Sequence, residues 1–218
     1  MALCRSSDGT PNTIISLLMS HAIDKLHPQA SEPIIGQVYC DYRSVVGAEK
    51  SHHNMVTTLP LVYDRSMRNM TLDQQNTAMR GNILYLSDPE VLLNTVAAIK
   101  TACETVNSLP SLQDKFDAVG QGMQAFFDQT TFAVSYSGKK SFGTCDKHIE
   151  ALLPAGEPVG IGLLLEITAA DGWFYVVFMQ DWREDIYFNS FLKEIVSLGL
   201  DFDLLYSSEA KAPSFSLE

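Results

Sequence analysis

The most constraining feature of the sequence is a long apolar stretch, residues 159–180, which reads VGIGLLLEITAADGWFYVVFMQ. Glu166 and Asp171 interrupt it, and charged side chains inside a bilayer are costly, so the stretch does not predict a membrane helix. Asp171-Gly172 is a strong signal for a tight turn between two strands. The stretch therefore predicts an antiparallel β-hairpin, and the rest of the chain must build a sheet around it.

The other segments predict helices that cover this sheet. Thr10 and Pro11 begin a helix as N-cap and first helical residue, and Pro28 ends it. Strands follow in PIIGQVYCDYR and in residues 54–63, then three helices, a strand in TFAVSYS, the hairpin, and an amphipathic helix over residues 185–198.

The length of 218 residues suits a single domain. We expect an N-terminal extension over residues 1–9, a single lobe over residues 10–206, and a disordered tail over residues 207–218. The tail contains mostly small and polar residues, which cannot bury enough apolar surface to fold.

Charge and cysteine spacing exclude several classes of partner and site. The net charge of −11 repels phosphate groups, so neither nucleic acid nor an anionic membrane is expected as a partner. The start MALCRSSDGT lacks the apolar core of a signal peptide, which favours a cytoplasmic protein. No metal site is expected, because the cysteines are too far apart in sequence for a zinc motif: Cys4, Cys40, Cys103 and Cys145.

His52 and His53 are adjacent, and paired histidines occur in metal sites and as catalytic bases. Adjacent residues on a strand point to opposite faces, so the two cannot both bind one metal ion. A general base also needs an orienting partner, and the sequence identifies none. The favoured interpretation is an incidental position at the start of a strand.

Residues 10–63 carry a resemblance to a known superfamily. A helix that begins near a Thr is followed by a strand ending in Asp41-Tyr42-Arg43, a loop, and the strand HNMVTTLPL. This order is similar to the opening of the C-terminal lobe of condensation domains and chloramphenicol acetyltransferase-like, CoA-dependent acyltransferases. The sequence TLPL is identical to the family pattern, whereas His53 and Thr57 replace its Gly and Asn. The order of elements resembles the family over most of residues 10–200. The resemblance implies the fold class, which is α/β in the form of an α+β two-layer sandwich with a mixed sheet covered by helices.

The resemblance implies that the family's catalytic motif, His-His-x-x-x-Asp, is degenerate in this chain. Counted from His52, the Asp position holds Thr57, so the histidine pair does not match the motif. In WFYVVFMQDWREDIYF, Gln180 and Asp181 stand in the histidine positions, and Asp185 holds the Asp position. No catalytic residue is therefore expected within the chain.

The resemblance also implies structural roles for four residues. In the superfamily the motif Asp commonly forms a salt bridge with an Arg of the same lobe, so Arg43 and Asp185 are expected to meet. Thr57 and Thr58 are expected to be structural residues of the strand that leads towards the other lobe.

Further implications concern the reaction. In the superfamily a histidine assists attack on a thioester, carried by CoA or a phosphopantetheinyl arm, in a tunnel between two lobes. The candidates for one wall are Ser135, Tyr136 and Ser137, where a serine hydroxyl would donate to the oxyanion, although alternating serines also suit an ordinary strand. The resemblance implies no covalently bound cofactor and an acyl-CoA or phosphopantetheinyl thioester as co-substrate.

Two functions remain open from the sequence. The chain is either the C-terminal lobe of an acyltransferase, inactive alone, or a non-catalytic module of the same fold that binds a carrier or partner. The implied partner is an N-terminal lobe that carries His-His-x-x-x-Asp, in the same parent chain or another, and a homo-oligomer is the further option. An upstream copy of that motif in the natural reading frame would distinguish the two functions.

Overall fold

A computed structural model describes residues 4, 9–139, 141–149, 151–154, 156, 160–170 and 172–205, with the backbone only at residue 139. The predicted N-terminal extension falls mostly, and the predicted tail entirely, outside the described residues. The elements, in chain order, are α1 (Pro11–Leu26), β1 (Ile34–Asp41), β2 (Val56–Tyr63), a 3₁₀ turn (Met67–Asn69), α2 (Leu72–Leu86), α3 (Pro89–Ser108), α4 (Leu112–Asp128), β3 (Phe132–Lys139), a second 3₁₀ turn (Gly143–His148), β4 (Leu163–Ala170), β5 (Trp173–Gln180) and α5 (Ile186–Ser197).

The strands form one mixed sheet in the order β2-β1-β3-β4-β5. The central strands β1, β3 and β4 are parallel, and the outer strands β2 and β5 pair with β1 and β4 in the antiparallel direction. The predicted hairpin is confirmed, with Leu163 opposite Gln180 and Ala170 opposite Trp173. The predicted α+β fold with a mixed sheet is likewise confirmed.

Helices α1 and α5 cover one face of the sheet and form the core with it. Thr10 and Thr13 form a reciprocal capping box at the start of α1, and Pro11 occupies its first turn, as the sequence predicts. Apolar residues at helical spacing, among them Leu17 and Leu18, then point at the strands and are fully buried. Phe191 of α5 joins the same cluster.

The contact between β1 and β3 depends on a glycine. A Cβ atom at Gly36 would lie 2.6 Å from Cζ of Phe132, the residue paired with it on β3. The ring of Phe132 therefore packs directly on the backbone of β1, where any side chain would collide with it. This packing fills the centre of the sheet on the helix-covered face.

Helices α3 and α4 contribute little to the core. Leu92 is the one buried residue of α3, and the described residues of α4 include no buried one. Both helices nevertheless begin at the predicted caps, Asp88 and Ser111. Among the helices of the described ranges, none combines the length and apolarity needed to cross a bilayer.

His52 and His53 lie in the loop before β2, which begins at Val56 rather than at residue 54. Both side chains are exposed. The strand argument therefore does not apply to the pair, since neither histidine is part of a strand.

Candidate functional site

The sheet has a second face, opposite α1 and α5, which we term the open face. Strand alternation places Tyr39, Val56, Val62 and Trp173 on it, and all four are exposed. Exposed aromatic and aliphatic side chains on one face of a sheet mark a surface suited to contact with another partner.

A row of polar side chains crosses the middle of the open face. Thr58 pairs with Tyr39, and Ser135 pairs with Glu166. Tyr39 and Ser135 are the next residues after the paired Val38 and Val134, so they continue the same row across the β1–β3 junction. We term these four residues, Thr58, Tyr39, Ser135 and Glu166, the polar row.

Glu166 dominates the electrostatics of the polar row. Burial raises the pKa of its carboxyl above the usual value, and a hydrogen bond with the side chain of Ser135 opposes this shift. The pKa of Tyr39 is raised by burial and further by the nearby charge of Glu166. No cation among the described residues contributes to either shift, so within them the carboxylate has a hydroxyl partner but no counter-charge.

The polar row lies beside a segment that covers part of the open face. Thr168 Oγ1 donates to the carbonyl oxygen of Leu152 over 2.6 Å, and the backbone N–H of Gly156 approaches the sulfur of Met179 at 3.3 Å. Thr168 and Met179 lie on β4 and β5 on either side of Glu166, so both contacts are at the Glu166 end of the polar row. Towards β1 and β2, the side chains of Tyr39, Val56 and Val62 are exposed.

Gln37 adds a second polar group to the open face, next to Tyr39 on β1. It is only 6% exposed, and its Nε2 donates to Thr130 Oγ1 over 3.4 Å. Its Oε1 is buried and has no hydrogen-bond partner among the described residues. A buried acceptor without a partner among the described residues is unusual in proteins.

The three predicted wall residues do not lie together. Ser135 is in the polar row. Tyr136 points to the other face, where its ring packs 6.2 Å from that of Phe174, so it does not lie beside Ser135. Alternation along a strand makes this outcome unavoidable.

Ser137 is exposed, but its hydroxyl donates to the backbone carbonyl of Ile167 over 3.4 Å. The pairing of β3 with β4 is irregular after Tyr136, and Gly138 has a φ of 73° there. Ser137 thus supports a β-bulge rather than the polar row. The basic residues that follow it, 139 and 140, have no described side chains.

The degenerate motif forms the loop between β5 and α5. Gln180 Nε2 donates to the carbonyl oxygens of Trp182 (2.8 Å) and Glu184 (3.0 Å), which holds the loop closed. Asp181 and Asp185 are exposed, and the carboxylate of Asp185 makes no capping hydrogen bond at the start of α5. Gln180, and not Asp185, is therefore the residue that fixes this loop.

The predicted bridge between Arg43 and Asp185 is wrong. Arg43 Nη1 pairs with Asp41 at 2.6 Å, while its Nε and Nη2 donate to the carbonyl oxygens of Ser51 and His53. The reason is topological: β1 and β5 run in opposite directions, so their C-terminal ends lie at opposite edges of the sheet, roughly 26 Å apart for eight-residue strands. Arg43 instead holds the loop before β2.

The predicted structural threonines separate onto the two faces. Thr57 has the same strand parity as the buried Leu59 and Leu61 and lies on the helix-covered face. Thr58 lies on the open face, in the polar row.

A second group of titratable residues lies at the C-terminal end of α1. Lys25 Nζ contacts both carboxylate oxygens of the buried Glu194, at 2.6 and 2.8 Å. Nε2 of His21 lies 2.9 Å from Gln75 Oε1, and its Nδ1 is 4.0 Å from Glu194. Because Gln75 donates its amide to Met67, its oxygen must accept from His21, which leaves Nδ1 facing the carboxylate.

This group lines a surface cavity of about 360 Å³. Burial is the main cause that lowers the pKa of His21, with Lys25 acting in the same direction and Glu194 opposing it. Tyr63 packs edge-on against the imidazole, and Arg68 pairs with Asp24 at the rim. Every charge described here has a partner, so the cavity supplies no unpaired group for a substrate.

Replacement of Glu166 by Gln is expected to stabilise the protein at neutral pH. The folded-state pKa of Glu166 is raised, so the unfolded state loses its proton first, and wild-type stability falls as the pH rises above about 4.5. Glutamine keeps the shape and removes that loss. Urea unfolding between pH 4 and pH 8 measures the difference, which should grow with pH.

The matched control is Glu49→Gln, an exposed carboxyl in a loop. It removes the same charge from an exposed position, where no desolvation is relieved, and should change the midpoint of urea unfolding little. Equal effects of the two substitutions would show that net charge, rather than the environment of Glu166, is responsible.

Comparison with known proteins gives a structural match without a sequence match. No family model and no curated protein matches the chain. Its structure is similar to the epimerization domain from the third module of tyrocidine synthetase B, with a TM-score of 0.54, 13% identity, and coverage of 89% of this chain and 43% of that one. The chain has the condensation-domain fold.

Two other structures with lower TM-scores match over a similar span. The condensation domain of the Monacolin K polyketide synthase MokA gives 0.47 at 14% identity, covering 89% of this chain and 42% of that one. Vinorine synthase gives 0.46 at 10% identity, covering 91% and 44%. This example of the condensation-domain fold thus spans less than half the length of each of the three proteins.

Proposed function

We propose that this chain is the C-terminal lobe of a two-lobe acyltransferase and that its open face forms one wall of the tunnel for the acyl donor. The observation that carries the proposal is the polar row, which crosses the accessible face of a sheet whose other face is filled by α1 and α5. The length of the condensation-domain neighbour, of which the chain covers 43%, leaves room for a second lobe of similar size.

The polar row offers hydroxyl donors for acyl transfer but contains no histidine. The hydroxyl of Tyr39 keeps its proton because its pKa is raised, so it can donate to the oxyanion that forms on a thioester carbonyl. The nucleophile of the acceptor attacks that carbonyl carbon, the thiolate of CoA or phosphopantetheine leaves, and a histidine of the second lobe takes the proton from the nucleophile. That histidine would come from a His-His-x-x-x-Asp motif outside this chain.

The isolated chain is expected to have no acyltransfer activity, because Gln180 and Asp181 stand in the positions of the histidines. The amide of Gln180 donates to two backbone carbonyl oxygens. Asp181 is an exposed carboxylate that has no orienting partner among the described residues. Release of free thiol from acetyl-CoA, with amine and alcohol acceptors, measures the activity. Steady turnover that is lost in Asp181→Asn would contradict the proposal.

The natural gene tests the two-lobe arrangement directly. We expect the full-length transcript, or a protein that co-purifies with the chain, to supply His-His-x-x-x-Asp about one lobe-length of ~150 residues away. Acyl transfer by that complete protein should be lost when the second His is replaced and reduced in Tyr39→Phe. A complete protein that has the motif but tolerates Tyr39→Phe would refute the role of the polar row, and stable binding to a carrier without turnover would favour the non-catalytic module.

A further inference from the structure

The open face has an excess of hydrogen-bond acceptors and no described cation. Glu166 is half-buried in β4, the last of the three parallel strands, and its described partner is the hydroxyl of Ser135. Gln37 Oε1 is a buried acceptor without a partner on the same face. An ionised carboxyl accepts hydrogen bonds only, so a ligand that complements this surface must bring donors and positive charge.

The structure assigns Glu166 as the binding site for a protonated amine of the acyl acceptor. This assignment rests on the proposed function and adds to it the chemical class of the acceptor. The acceptor is a small molecule with one ammonium group, anchored at Glu166, and a second nucleophilic group that meets the thioester. Ser135 acts as a positioning residue, because the register of β3 and β4 places its hydroxyl directly beside the carboxylate.

Other ligand classes fit the face less well. An anionic ligand group in place of the ammonium group would lie against a carboxylate that no described cation compensates, which costs free energy in a partly desolvated position. A divalent cation needs several acidic or histidine ligands, and no group of three such residues occurs within the described residues. A neutral alcohol would satisfy hydrogen bonds but would leave the charge of Glu166 without a partner.

The arrangement also explains why a carboxyl is tolerated at this position. β4 is buried on both sides of Glu166, with Leu165 and Ile167 fully buried on the other face and Leu164 and Thr168 buried on the same face. An apolar side chain would be the stabilising choice in such a strand, so the carboxyl reduces stability. A residue that destabilises the fold in an accessible polar row is characteristic of a binding or catalytic site.

Titration of the isotope-labelled 218-residue chain with n-butylammonium chloride at pH 8 tests the assignment, with n-butanol as the uncharged probe of equal length. The ammonium ion should shift the backbone amide resonances of Tyr39, Ser135 and Glu166 and the side-chain carboxyl ¹³C resonance of Glu166. It should also lower the pH midpoint at which that carboxyl titrates, because a bound cation favours the ionised form. n-Butanol should do neither at equal concentration.

Two variants make the test specific. Glu166→Gln should weaken n-butylammonium binding at least tenfold, and Glu49→Gln should leave it unchanged. Ser135→Ala should weaken it by a smaller factor and shift the titration midpoint of Glu166 without removing it. Since Glu166→Gln is expected to be more stable than wild type, a loss of binding there cannot come from a failure to fold.

Equal shifts from butanol and butylammonium, no saturable shift with either, or undiminished binding in Glu166→Gln would overturn the assignment. These outcomes are independent of acyl transfer. Ammonium binding through Glu166 in a protein that proves to have no histidine-bearing lobe would support the site and refute the acyltransferase, and turnover by a two-lobe protein without such binding would refute the site alone.

Discussion

Replacement of Phe132 by alanine is expected to lower the free energy of unfolding by about 3–5 kcal/mol, a large part of the stability of an ordinary domain. Phe132 is fully buried in β3, and its ring lies on Gly36 of β1. Truncation would remove the ring and leave a cavity over a residue that has no side chain to fill it. Urea unfolding at pH 7 measures the loss.

Because Phe132 contacts Gly36, a double substitution tests this packing more specifically than either single substitution does. Gly36→Ala alone should destabilise, because its Cβ would lie 2.6 Å from Phe132 Cζ and the ring must move. Combining Gly36→Ala with Phe132→Leu should cost less than the sum of the two single substitutions, because the smaller side chain makes room for the methyl group.

Gly81→Ala is the control for a change from glycine to alanine. Gly81 is exposed in α2, and a Cβ atom there meets nothing within 4 Å, so the substitution should stabilise by up to about 1 kcal/mol. Strict additivity of Gly36→Ala and Phe132→Leu would contradict the close packing of β1 on β3.

The second large effect is expected for Lys25→Met, which should lower the free energy of unfolding by about 2–3 kcal/mol at pH 8. Glu194 is only 4% exposed, and Lys25 is the cation bonded to both of its oxygens. Methionine keeps the apolar stem but leaves the buried carboxylate without its partner. The expected loss is below that for a fully buried pair because the Lys25 side chain is 63% exposed and solvent screens its charge.

The loss should depend on pH through His21. Its folded-state pKa is depressed in the wild type, mainly by burial, so wild-type stability falls as the pH drops below about 6.5. In Lys25→Met the unpaired Glu194, 4.0 Å from Nδ1, favours the imidazolium ion and raises the pKa of His21. The difference in free energy of unfolding between Lys25→Met and wild type should therefore become smaller as the pH falls through this range.

Lys100→Met is the matched control, because Lys100 pairs with Glu104 on the surface of α3 at 3.8 Å with both side chains largely exposed. It should change the free energy of unfolding by less than about 0.5 kcal/mol at any pH tested. A similar loss for the two lysines, or a gap that widens on acidification, would contradict the role of the buried Glu194.

The local elements were predictable because their signals are local. Thr10-Pro11, Asp88 and Ser111 mark helix starts, and the turn at Asp171-Gly172 marks the hairpin. These signals depend only on backbone groups a few residues apart. The fold class was expected from the resemblance to the condensation-domain superfamily, which rests on the order of these elements along the chain.

The candidate site could be predicted only in part, because its residues come from four strands. Ser135 was identified, but Tyr39 and Glu166 were missed, since only the order β2-β1-β3-β4-β5 brings them beside it. The available signal for Glu166 was a lone carboxyl within LLLEIT, a strand whose other residues are apolar apart from Thr168. A charge in such a strand indicates a binding group as well as an interruption of an apolar run.

The errors arose where strand direction or parity was needed. The bridge from Arg43 to Asp185 required β1 and β5 to end at the same edge, and they end at opposite edges. Tyr136 was grouped with its neighbours in sequence, although alternation separates it from Ser135.

The parallel pairing of β1 with β3 also determines the order in which the chain can fold. The bond from the backbone N–H of Ile35 to Thr131 joins residues 96 positions apart, with β2 and helices α2 to α4 between them. The β1–β2 and β4–β5 pairs close short loops and can form early. The pairing of β1 with β3 requires the closure of a much longer loop and forms later. On the ribosome, β1 would therefore emerge with an unpaired edge while α2, α3 and α4 are still being synthesised, and during that interval the nascent chain is most exposed to aggregation and most dependent on chaperones.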